Sequence, residues 1–96
     1  MKTEERNDLG EFLLELAQQV VREIGKLPVF EAVAIKNYYG VAGFSRAQLL
    51  DTALFARVTE AYILSRRKPG LEKLATRLAA NEEIPLILKK YKHVRA

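Results

Sequence analysis

"YYGVAGFSRAQLL", Tyr38 to Leu50, decides how this chain folds, because it contains both a bend and the start of a helix. Gly40 and Gly43 can adopt backbone angles that other residues adopt only under strain, so the chain can turn here within a few residues. Ser45 stands at an N-cap position, and Gln48, three residues on, can complete a capping box with it. Phe44 before the cap and Leu49 at the fourth helical position can close over that start as a hydrophobic staple. A helix beginning at Arg46 is expected.

Upstream, "PVFEAVAIKNYYG" reads as a short helix that Pro28 opens and Gly40 stops. Val29, Phe30, Val33, Ala34 and the tyrosines give it an apolar side, leaving Glu31, Lys36 and Asn37 to solvent or a partner. The β-branched Val29, Val33 and Ile35 fit a strand as well, but Glu, Ala and Lys favour helix. Before it, Leu9, Phe12, Leu13, Leu16, Val20 and Ile24 recur at spacings of three and four. This is a helix that Asp8 caps with Glu11 as box partner and that Gly25, as a left-handed cap, and Pro28 end.

Downstream of Ser45 the helix is apolar on two sides. Ala47, Leu50, Leu54, Val58 and Ala61 form one stripe, and Leu49, Ala53, Ala56 and Leu64 another. Such a helix is central, covered by neighbours or by a second subunit. It runs to Leu64 or bends near Arg57. "SRRKPG", residues 65 to 70, closes it with three positive charges and a turn dipeptide, and is the one candidate for a minimal wing. The charges suit a helix C-terminus, and Arg66, Arg67 and Lys68 equally make a phosphate clamp. Leu71, Leu74, Ala75, Leu78 and Ala79 then make an amphipathic helix with Lys73 and Arg77 outside. "NEEIP" breaks it, Glu82 and Glu83 mark a new start, and Ile84, Ile87, Leu88 and Tyr91 share one side of a last helix. Lys89, Lys90, Lys92, His93 and Arg95 form a basic tail.

The fold class expected is all-α: one compact domain over residues 1–96, of about five helices, with a helix–turn–helix at about 29–58. At 96 residues, self-association would help such a chain bury its surface. The absence of cysteine excludes disulfides, thiolate zinc sites and cysteine nucleophiles. No stretch is long and apolar enough for a membrane span, and "MKTEERNDLG" is too charged for a signal peptide, so a cytoplasmic protein without membrane contact is expected.

The net charge of +4 is unevenly spread: residues 66–96 hold nine of the 16 Lys and Arg but only three of the 12 Asp and Glu. A basic face attracts phosphate backbone, although a lysine-rich surface also serves solubility. Catalysis is poorly supported. The single histidine, His93, lies in the tail with no visible partner, and neither a metal nor a cofactor site emerges.

Residues 29–58 resemble the small winged-helix and helix–turn–helix DNA-binding proteins of archaea and plasmids. The resemblance implies a transcriptional regulator, or a factor that organises or partitions DNA, binding the duplex as a homodimer. In such families the start of the second helix enters the major groove, where Arg reads guanine and Gln reads adenine. By that resemblance Arg46 and Gln48, with Thr52 one turn on, would read bases. Ser45, Lys36 and Tyr39 would meet phosphates, and Arg66, Arg67, Lys68, Lys89 and Lys90 would supply the basic surface. The alternative is a non-enzymatic helical adaptor or small subunit of a larger protein or ribonucleoprotein assembly, its two-sided helix buried against partner chains.

Overall fold

The computed structural model describes residues 3–94. Six α-helices follow one another there: α1 (Thr3–Ile24), α2 (Val29–Tyr39), α3 (Arg46–Ala56), α4 (Glu60–Ser65), α5 (Arg67–Ala80) and α6 (Glu83–Lys90). A single 3-10 turn, Val41–Gly43, joins α2 to α3, and no strand occurs among the described residues. The all-α expectation holds. Arg95 of the basic tail lies outside the described residues.

The shortest route through the fold is α2, which packs on two sides. Its Ala32 and Ile35 face Ile24 at the end of α1, Leu27 of the connection and Leu74 of α5. Its Val33 and Ala34 face Leu49 and Ala53 of α3 and Ile63 of α4. A helix with apolar residues on both flanks can join two small cores that neither flank could form alone. The result is a slab of 51 × 27 × 16 Å between Cα extremes. Its thickness is that of two helix layers at the usual spacing of about 8–10 Å.

Several local expectations hold. Gly40, at φ 64°, caps α2 in the left-handed conformation, with its N–H donating to the Lys36 carbonyl. Ser45 caps α3 in a capping box: its backbone N–H donates to Gln48 Oε1 at 2.8 Å, and its hydroxyl meets the same oxygen. Phe44 packs on the core that contains Leu49.

Others need correction. Helix α1 is already formed at Thr3, so Asp8 is no cap; its carboxylate meets His93 Nε2 at 2.9 Å, which gives the histidine a partner. Gly25 is not left-handed: positive φ among the glycines is confined to Gly40 and Gly43. Instead the chain after α1 tightens through i to i−3 bonds, Lys26 N–H to Glu23 and Leu27 N–H to Ile24, which leads Leu27 into the core.

Of the two courses open to the helix from Arg46, the chain takes the break near Arg57 and does not run on to Leu64. The helix stops at Ala56, where Arg57 takes φ 59°, and α4 restarts after the Thr59 cap, whose hydroxyl accepts from Tyr62 N–H at 3.0 Å. Folding the chain back lets Ile63 join Leu49 and Ala53 against α2. A straight helix would have carried Ile63 away from that core.

"SRRKPG" is neither loop nor hairpin. After a one-residue break at Arg66, residues 67–70 are the first turn of α5. Pro69 is tolerated there because the first-turn N–H groups have no helical acceptor. Gly70 is needed by packing, since a Cβ would stand 3.0 Å from Glu31 Cβ and 3.1 Å from Ile35 Cδ1. The dipeptide that reads as a turn is the contact between α5 and α2.

Candidate functional site

The charge asymmetry of the sequence is resolved inside the fold. Glu31, expected at the surface, is 2% exposed and lies between Arg66 and Lys73, both 2.9 Å away. Glu23, also buried, receives Arg77 Nε at 3.3 Å and Asn81 Nδ2 at 2.9 Å. Lys90 reaches Glu15 at 3.3 Å. The carboxylates of α1 and α2 are thus stitched to the basic C-terminal third. Much of the positive charge expected to face a nucleic acid neutralises this chain's own carboxylates.

Those carboxyls respond accordingly. The Lys73 hydrogen bond is the largest influence holding Glu31 below its ordinary value of 4.5; burial opposes it and Arg66 reinforces it. For Glu23 the Asn81 amide is the largest influence, with Lys26 and Arg77 adding to it against the cost of burial. Both stay ionised at neutral pH because each has hydrogen-bond donors as well as counter-charges.

The start of α3 presents one exposed cation, paired at its tip. The Arg46 side chain is 77% exposed and pairs with Glu60 Oε1 at 3.4 Å, an ion pair between the first residues of α3 and α4. Gln48 and Thr52 are otherwise engaged. The Gln48 side-chain oxygen closes the capping box, and the Thr52 hydroxyl donates to the Gln48 carbonyl at 2.8 Å. A paired reading of adenine by Gln48 needs that same side-chain oxygen.

At the far end of α2 the expected phosphate contacts divide. Tyr39 is exposed beside Tyr38, their rings edge to face with centroids 4.8 Å apart. The Arg67 guanidinium lies 3.8 Å over the Tyr38 ring, so this cation is stacked against the fold. Lys36 is half-buried, whereas Ser45, Lys68 and Lys89 are exposed. Arg66, 37% exposed, is bound to the buried Glu31.

Of the two apolar stripes expected on this helix, the one with Ala47, Leu50 and Leu54 lies on the outward side of α3. Ala47, Leu50, Asp51 and Leu54 recur at three and four residues and are all exposed; Leu54 is 80% exposed and the adjacent Phe55 92%. Leu49 and Ala53 on the opposite side are buried. Within α3, Leu49 and Ala53 of the second stripe meet this chain's own core, whereas Ala47, Leu50 and Leu54 of the first do not. Elsewhere, Leu13, Leu14 and Val21 are exposed on α1.

Neither a cluster of metal-ligating side chains nor a helix long and apolar enough to cross a membrane occurs among the described residues. Compared with known proteins, the chain matches no family model, no curated protein and no solved structure.

Proposed function

We propose that the chain is a non-enzymatic helical interaction module, an adaptor or small subunit, that docks a protein partner on the outward face of α3. The observation that carries this reading is the exposure of the consecutive Leu54 and Phe55 on a helix that buries Leu49 and Ala53 on its other side. Exposed large apolar residues grouped on one element mark binding surfaces more often than isolated ones do. Phe55 also offers the rigid aromatic anchor that protein interfaces favour.

The test is chemical cross-linking and affinity capture with the full chain. Wild type should recover a bound protein, whether another copy or a different chain, and Leu54→Glu should lose it while keeping its helical circular dichroism. Failure of wild type to associate with anything would remove the reading.

Binding of duplex DNA is the second reading, favoured by one observation: the exposed Arg46 guanidinium at a rigidly capped helix start. Selection from a random duplex pool tests it. Under this reading Arg46→Ala erases preference for selected over random duplex, and Lys68→Ala with Lys89→Ala weakens both alike and flattens the salt dependence. No duplex binding at low salt would dismiss it.

A further inference from the structure

We infer that the partner on α3 is a second copy of this chain, packed helix against antiparallel helix about a two-fold axis beside Leu54. The inference rests on the reading of α3 as the docking face and adds the occupant and the register.

Surface area first shows that the folded chain leaves room for association. The chain exposes 6991 Å², whereas monomeric proteins of 10.9 kDa expose about 5,600 Å². The surplus of about 1,400 Å² is of the size that each protomer of an obligate homodimer buries. The radius of gyration agrees, at 16.0 Å against about 12.5 Å for a folded domain of this length. Closing the surplus with an identical slab needs no other component, and a two-fold pair is the commonest way to close it.

Charge placement supports the same occupant and selects the register. Asp51 precedes Leu54 by three residues and Arg57 follows it by three; both are exposed, and neither joins an ion pair among the described residues. In an antiparallel pair centred on Leu54, each Asp51 comes level with the Arg57 of the other copy, once on either side of the axis. A surface that carries opposite charges at equal distances from its apolar centre is complementary to itself, which is the requirement of a two-fold interface. Leu54 then meets Leu54 at the axis. Phe55, to one side, covers the neighbouring α3, and Ala47 leaves room for helices to approach.

Arg57 fits this arrangement in another way. It is the one non-glycine residue with positive φ among the described residues, where glycine is the usual occupant of a helix C-cap. The side chain that makes this position costly is the one that the pairing uses.

Sedimentation of the full chain across a concentration series, from nanomolar to tens of micromolar, tests the inference. Wild type should be a dimer at micromolar concentration and Leu54→Glu a monomer with unchanged circular dichroism. Asp51→Arg and Arg57→Asp should each weaken dimerisation roughly tenfold, and the two together should restore it. A wild type that stays monomeric throughout overturns the inference; if it then captures a different protein that Leu54→Glu loses, the docking face survives and only its occupant changes. Dissociation by Leu14→Glu on α1 in place of Leu54→Glu overturns it as well. So does a double charge exchange no tighter than either single one.

Discussion

Gly70 lies against Glu31 so closely that a methyl group at position 70 would stand 3.0 Å from the Glu31 Cβ and 3.3 Å from its carbonyl oxygen. This contact lets α5 settle onto α2 and brings Arg66 and Lys73 to either side of the buried carboxylate. Gly70→Ala should therefore destabilise the chain by about 1 kcal/mol, overpacking outweighing the gain in helix propensity. At Gly10, inside α1, an added methyl group would meet no atom within 4 Å, and Gly10→Ala should stabilise by about 0.5–1 kcal/mol. Urea denaturation of both variants checks the opposite signs.

Acid should unfold the protein through Glu31 and Glu23. Both carboxyls are held below 4.5 in the folded chain, so as pH falls the unfolded chain takes up protons first. Their contribution is complete above 4.5 and is lost as pH falls from there through the depressed folded values. Thermal midpoints should be flat near neutrality and drop below about pH 4.5, and the drop should be shallower in Glu31→Gln, which starts from a lower stability at pH 7. An unchanged acid limb in that variant would contradict the assignment.

Asn81 joins three helices. Its side-chain oxygen accepts from Glu83 and Ile84 N–H at 2.8 and 3.0 Å, capping α6, while its amide nitrogen donates to Glu23 and Gln19 of α1 at 2.9 and 3.3 Å. Asn81→Ala should cost about 2 kcal/mol, a cap together with a buried acceptor left short of a donor. Asn81→Asp keeps the cap but sets a second carboxylate against Glu23. Its deficit should shrink as pH is lowered from 7 towards 4, which denaturation at the two pH values measures.

Ser45→Ala should cost about 1 kcal/mol by removing one half of the capping box. The Gln48 side-chain oxygen keeps the backbone N–H of residue 45 as its donor, so half of the box remains. Chemical denaturation gives the loss, and amide exchange should show it concentrated in the first turn of α3.

Local chemistry was legible in the residues themselves. The glycines, the Ser45–Gln48 box and the Phe44 staple define the turn from α2 into α3 without help from distant parts of the chain, since each acts within a few residues. The same holds for the end of α2 at Gly40 and the late helix that begins within "NEEIP" at Glu83. Periodicity likewise indicated that every element is helical.

What the residues did not disclose depends on contacts far apart in sequence. Glu31 looks like a solvent-facing charge until Arg66 and Lys73, some 35 and 42 positions later, close around it. Pro69 and Gly70 look like a turn until Gly70 is seen as the point where two helices touch. Leu54 and Ala53 have equal claims to a core when read along the helix. Which is buried is decided by where α3 stops and α4 folds back, because the energy gained by seating Ile63 beside Leu49 is a property of the packed molecule. Helices and their caps follow from interactions within a few residues and can be read off the chain. The charges spent within the fold, and the apolar face of α3 left outside it, are settled by packing between segments that meet only once the chain has folded.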